Sequence, residues 1–222
     1  MGRSRRQKNR RARLSRAAVR SRRIEVVVEE LELVRAHDGA FRGAVEPRLL
    51  AALYHVRPGR AALLTRSVLA VDVRSSSSAR LELERELLRA SWHSASSTDS
   101  GVFVLVAVAV EEDSGHDVQT LSADLEHPEL WAIWDSKHAV PEPATLDELA
   151  LGAPSEGPNA ERIELVRRGS PMESTLRSDE LVGAVLIRVP VDPEPRPGLW
   201  RLNFQSPDAK NDWTYRIRVR VT

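Results

Sequence analysis

The chain contains no cysteine. That removes disulfides and thiolate metal ligation, and it fits a reducing, cytoplasmic setting. Aromatic residues are scarce, two Tyr and three Phe beside five Trp. No apolar run approaches the roughly twenty residues of a membrane-crossing helix, and none reads as a signal peptide. Phosphate-cradling G-x-x-x-x-G-K and G-x-G-x-x-G loops are missing, as is H-E-x-x-H. The six histidines (His37, His55, His93, His116, His127, His138) hold no i, i+4 pair, so a zinc site would need ligands gathered from distant loops. Ser155 in Ala153-Pro154-Ser155-Glu156-Gly157 lacks the first glycine of a nucleophile elbow. Lys and Asn are rare beside Arg, Ala, Val and Glu, a usage that often accompanies GC-rich bacterial genomes.

What is present is organised around Gly101–Asp117. Val102–Val110 is nine consecutive apolar residues, five of them Val. β-branched enrichment between a glycine and an acidic, turn-like loop predicts a strand buried on both faces. Other segments must cover it.

Charge is segregated along the chain. Of 33 Lys and Arg, eleven fall in residues 1–23 (Arg3, Arg5, Arg6, Lys8, Arg10, Arg11, Arg13, Arg16, Arg20, Arg22, Arg23), where there is no acid. The remainder holds 22 basic residues against 32 acidic ones. Residues 1–23 have too few apolar side chains to build a core and read as a disordered basic arm. Residues 24–222 read as one domain.

Within it, Ile24–Arg35 has apolar points at Val26, Val28, Leu31 and Leu33, and the change of phase suits a β-bulge. Arg48–Val56 and Ala61–Val73 form a hairpin about the Arg57-Pro58-Gly59-Arg60 turn. Leu81–Trp92 mixes helix-favouring residues with alternation, and fold consistency assigns it to strand. Asp117–Glu126 reads as a short helix before Leu130–Trp134. Residues 135–160 form a proline-rich loop in which Thr145 and Glu148 have capping-box spacing. Glu161–Arg167, Gly183–Val191, Leu199–Gln205 and Trp213–Thr222 complete the strands. In the last, Trp213, Tyr215, Ile217, Val219 and Val221 alternate with polar residues, one face core and one face wet. The sum is an all-β fold, an antiparallel β-sandwich of about eight or nine strands with one or two short helices in loops.

Two stretches carry a family resemblance. Ser178-Asp179-Glu180-Leu181-Val182-Gly183 leads into an apolar strand, and Glu46-Pro47 opens another after an Asp38-Gly39 loop. Together with Trp200 in GLWRLNF, these pieces resemble the C-two domain, the calcium-dependent lipid-binding β-sandwich of synaptotagmins and protein kinase C. The resemblance covers about half the chain. It implies a sandwich that docks on membranes, but only Asp38, Glu46 and Asp179 match that family's ligand positions. Val166-Arg167-Arg168-Gly169 sets two cations where paired Asp residues would sit, so the resemblance implies lipid binding without calcium.

Three constellations could bind something. Glu111, Glu112, Asp113, His116 and Asp117 gather oxygen ligands at the end of the buried strand. They read either as a divalent-metal loop, serving a metal-dependent enzyme, or as a solvated turn with Asp117 capping the next helix. Arg216, Arg218 and Arg220 space three cations about 7 Å apart on one strand face. They read as a phosphate or headgroup ladder, or as cross-strand partners of Glu25, Glu29 or Glu164. Trp131 and Trp134 read as an exposed partner anchor or as core.

The expected function is therefore a non-enzymatic, cofactor-free adaptor module. The sandwich would dock a protein partner, and the arm would attach to RNA, DNA or another polyanion without base readout. Binding to an anionic membrane is the second reading.

Overall fold

The computed structural model of the chain describes residues 20–36, 45–73, 78–94, 101–112, 116–135, 145–146, 148, 155, 158–167, 170–171, 180–190 and 198–222. Two antiparallel sheets pack face to face. The smaller has the order β10 (Gly198–Gln205), β11 (Asp212–Val221), β1 (Arg20–Arg35), β4 (Ala79–Ser94). The larger runs β3 (Arg60–Ala70), β2 (Pro47–Arg57), β5 (Val102–Glu111), β9 (Glu180–Pro190), β7 (Glu161–Arg167), β6 (Trp131–Asp135). The two-residue β8 (Ser170–Pro171) pairs with β7. The antiparallel sandwich read from the sequence is thus present, and β6 and β8 bring the described strands to eleven.

β5 sits inside the larger sheet between β2 and β9. Every residue from Phe103 to Val110 is buried. Phe103, Leu105, Ala107 and Ala109 face the inter-sheet core, where they join Trp213, Tyr215, Ile217, Val26, Val28 and Leu31. Val104, Val106, Val108 and Val110 face the opposite way, onto α1 (His116–Asp124), whose Val118 and Leu121 cover them with Leu125 and Leu146. Burial on both faces is why the run is continuous rather than alternating. β11 is its counterpart, buried on one face only, and so it alternates.

The predicted bulge in β1 lies between Val28 and Glu30, where the register with β11 and with β4 shifts. Glu29 and Glu30 consequently both face outward while Val28 and Leu31 stay in the core. The β2–β3 hairpin closes as expected on Gly59, whose φ of 71° is open to glycine at little cost. Leu81–Trp92 lies within a strand and not a helix, because its apolar positions are drawn against the inter-sheet core. Thr145 N–H donates to Glu148 Oε2 at 2.8 Å, half of the predicted capping box.

One boundary is corrected. Residues 20–23, assigned from the sequence to a disordered arm, belong to β1. Arg23 exchanges backbone hydrogen bonds of 2.8 and 2.9 Å with Thr222, and Arg22 and Arg23 pair with Trp92 and Ser91 of β4. Two neighbouring strands supply the pairing that the basic sequence gives no sign of. Residues 1–19 of the arm lie outside the described residues. Among the described residues, no helix is long and apolar enough to cross a membrane.

Candidate functional site

Because the inward positions of β1, β4, β10 and β11 are apolar, the alternate positions form an outer face rich in charge, with Val27, Leu199, Asn203 and Thr214 among them. Arg216, Arg218 and Arg220 all lie on it, as their alternation predicts. Each meets a carboxylate. Arg218 Nε lies 2.8 Å from Glu29 and its Nη2 3.1 Å from Glu84; Arg216 lies 3.7 Å from Glu30; Arg220 lies 4.0 Å from Glu25. The cross-strand pairing expected with Glu25 and Glu29 is therefore formed. Glu164, the third candidate, lies on β7 in the other sheet.

The three arginines are not equivalent. Arg218 is the most enclosed, at 26% side-chain exposure, and is held by two acids, whereas Arg220 is 47% exposed with one distant partner. Arg220 also lies where β1 begins. The Arg89 guanidinium, hydrogen-bonded to Glu25 at 2.9 Å, holds that carboxyl below the usual range against the opposing effect of burial, and the charges of Arg23 and Arg220 add to the pull. The base of the basic arm and the free end of the arginine ladder thus converge on one carboxylate.

Of the acidic constellation at the end of β5, Glu111, Glu112 and Asp117 lie among the described residues, each in a different setting. Glu112 is bound by the Arg48 guanidinium, which also reaches Glu46 at 3.2 Å and Asp72 at 3.6 Å. One buried-stemmed arginine therefore serves three acids at this end of the sandwich. Glu111 is 5% exposed and pairs in register with Pro47 and Glu180. Asp117 is buried in the first turn of α1 and not at the cap, since the helix begins at His116. Asp113 and the side chain of His116 lie outside the described residues. Among the described residues no three His, Asp or Glu groups are placed to hold a metal ion.

Ser155 sits in a hydrogen-bonded cluster with Glu161 and Arg188. Its hydroxyl donates to Glu161 Oε1 at 2.7 Å and accepts from the Arg188 backbone N–H at 2.9 Å, while Arg188 Nη1 donates to the same Glu161 oxygen at 2.8 Å. This partly buried cluster fastens a loop residue across β7 and β9. Trp131 and Trp134 belong to β6, an edge strand of the larger sheet; their side chains lie outside the described residues.

Charged residues that escaped sequence reasoning include Arg48, Asp72, Glu30, Glu84 and Arg89. The alternation in LELERE and in LWRLNFQ places Glu82, Glu84 and Arg201 on a polar face, but only strand order tells which charges become neighbours. Compared with protein-family models and with curated proteins, the chain matches none.

Proposed function

We propose that this chain is a non-enzymatic binding module in which a β-sandwich presents a cationic arm to a polyanion, with nucleic acid as the favoured target. The observation that carries this reading is the continuity of the arm with β1. Residues 1–19 join β1 at Arg20, three residues before Arg23, so the eight cations between Arg3 and Arg16 adjoin in sequence the strand end where Arg23, Arg89 and Arg220 surround Glu25. Dense arginine releases counterions from phosphates, and a tether of this kind reads charge and not bases. Arg216 and Arg218 take no part in it, because Glu29, Glu30 and Glu84 already neutralise them.

Fluorescence anisotropy with generic RNA and duplex DNA across a salt series tests this. The full chain should bind with a log–log salt slope of about −7, from eight contacts at about 0.9 each. A chain lacking residues 1–19 should lose binding, and Arg220→Glu should weaken it. Absence of binding near physiological salt would sink the nucleic-acid reading.

The second reading is a calcium-independent, C-two-like module on anionic lipid. It is favoured by Pro47 opening β2 and Glu180 opening β9 at one end of the larger sheet, as the resemblance implies. Arg48, already seated among Glu46, Glu112 and Asp72, supplies the positive charge that calcium would bring. Pelleting with phosphatidylserine vesicles, with and without calcium, distinguishes the two readings.

A further inference from the structure

The charges on the outer face of the four-stranded sheet are arranged by sign across the strands. Arg201 of β10 is the register partner of Arg216 of β11, Arg216 of Glu30 of β1, and Glu30 of Glu82 of β4. The line therefore reads plus, plus, minus, minus. Like charges directly opposite one another destabilise a sheet, and an alternating order would have avoided both repulsive pairs. The inner members are compensated, since Glu30 takes Arg80 at 2.6 Å and Arg216 at 3.7 Å. The outer members are less so. Arg201 and Glu82 are both exposed, neither makes a direct ion pair among the described residues, and Glu82 feels only the longer-range charge of Arg80.

We propose that this face binds a second copy of the same chain, related by a two-fold axis parallel to the strands. Such an axis lays the partner's β10 over β4 and the partner's β11 over β1. It sets Arg201 of each copy against Glu82 of the other, and Arg216 against Glu30. Two further lines obey the same rule. Leu199–Arg218–Val27–Glu86 brings an exposed leucine onto the stem of a glutamate and Arg218 over Val27. Asn203–Thr214–Glu32–Arg80 brings amide onto guanidinium and hydroxyl onto carboxylate. No line whose four members are described sets like charges together. Two twisted sheets packed with aligned strands have this geometry as their ordinary face-to-face arrangement.

Four strands about 4.8 Å apart and about ten residues long offer roughly 600 Å² per copy, or about 1,200 Å² in all. That is the lower end for a specific interface, so the dimer is weak, salt-sensitive and selected by charge. The axis also preserves strand direction, so both arms leave from the same end. If the arm binds a polyanion as proposed above, dimerisation doubles its local concentration at one surface.

Sedimentation equilibrium of the full chain, without nucleic acid, tests the proposal. The native protein should dimerise at low salt and weaken by about tenfold or more as exposed charge is screened. Arg201→Glu and Glu82→Arg should each abolish dimerisation, because each creates two repulsive contacts. An equimolar mixture of the two variants should associate as well as the native chain, since every reversed contact is then matched. Thermal melts followed by circular dichroism establish that the variants are folded. A native chain that stays monomeric to about millimolar concentration, or a mixture that associates no better than either variant alone, overturns the proposal. A chain that dimerises but ignores nucleic acid supports this inference and defeats only the polyanion reading.

Discussion

Arg218 reaches across β1 to Glu84 of β4, its Nη2 3.1 Å from the Glu84 carboxylate, and Glu84 holds a φ of 42° to receive it. A non-glycine residue in the left-handed region inside a strand is uncommon and costs of order 1–2 kcal/mol. It falls where the β1–β4 register shifts, with Glu29 bulged on one strand and Glu84 on the other. Both acids close on the same guanidinium.

This geometry sets a contrast between two substitutions. Glu84→Gly removes the backbone strain but loses an exposed ion pair worth about 0.5 kcal/mol and adds unfolded-chain entropy of similar size. Its urea midpoint should stay close to native. Glu84→Val keeps the strain, adds a β-branched side chain and loses the ion pair, and should cost about 2 kcal/mol. Equal effects from both variants would show that the bulge stores no strain.

The chain's two tyrosines, Tyr54 and Tyr215, are both fully buried. Tyr54 donates its hydroxyl to the Leu125 carbonyl, and Tyr215 packs edge-on to Phe204 at 5.9 Å. Burial pushes both phenols well above the ordinary value near 10, while the charges of Arg66 and Arg48 oppose it only in part. Since the folded state favours the neutral phenols, their contribution is fully present below about pH 10 and is lost as pH rises beyond it. In an alkaline titration, tyrosinate absorbance should appear together with loss of the β-sheet circular dichroism signal. Tyrosinate forming in a still-folded chain would contradict the burial.

The Glu161–Arg188 pair predicts a large single-site effect. Both side chains are nearly enclosed, at 13% and 10% exposure. Glu161→Ala removes a counter-charge from a nearly enclosed guanidinium and should cost about 3 kcal/mol. Replacing both residues by Met should recover most of that loss, because the desolvation cost disappears with the charges. Ser155→Ala, which removes one hydroxyl between them, should cost about 1 kcal/mol. Denaturant midpoints of the three variants check the ranking.

Much of the fold was legible in residue order alone. The Val102–Val110 run declared a strand covered on both sides, and Trp213–Thr222 declared one covered on a single side. These are direct readings of solvent exposure at a period of two. The break in phase between Val28 and Leu31 located a bulge, and Pro58-Gly59 located a hairpin, because both are local properties of the backbone. Leu81–Trp92 was harder. Its glutamates, leucines and arginines suit a helix as well as a strand, and only the packing of Leu87 and Leu88 against the core makes it a strand.

What residue order did not determine is which charges meet. Residues 20–23 looked like part of a free arm, yet they find β11 and β4 on either side. Glu164 seemed as good a partner for the arginine ladder as Glu25, and strand order placed it in the other sheet. Nothing in residue order pairs Glu112 with Arg48, 64 residues away, yet the fold brings the two together. Most strands and their faces follow from residue order, since each depends on neighbours one or two residues apart. The signs across the sheet follow from the fold alone, because a line such as Arg201–Arg216–Glu30–Glu82 exists only once four distant strands are held in register.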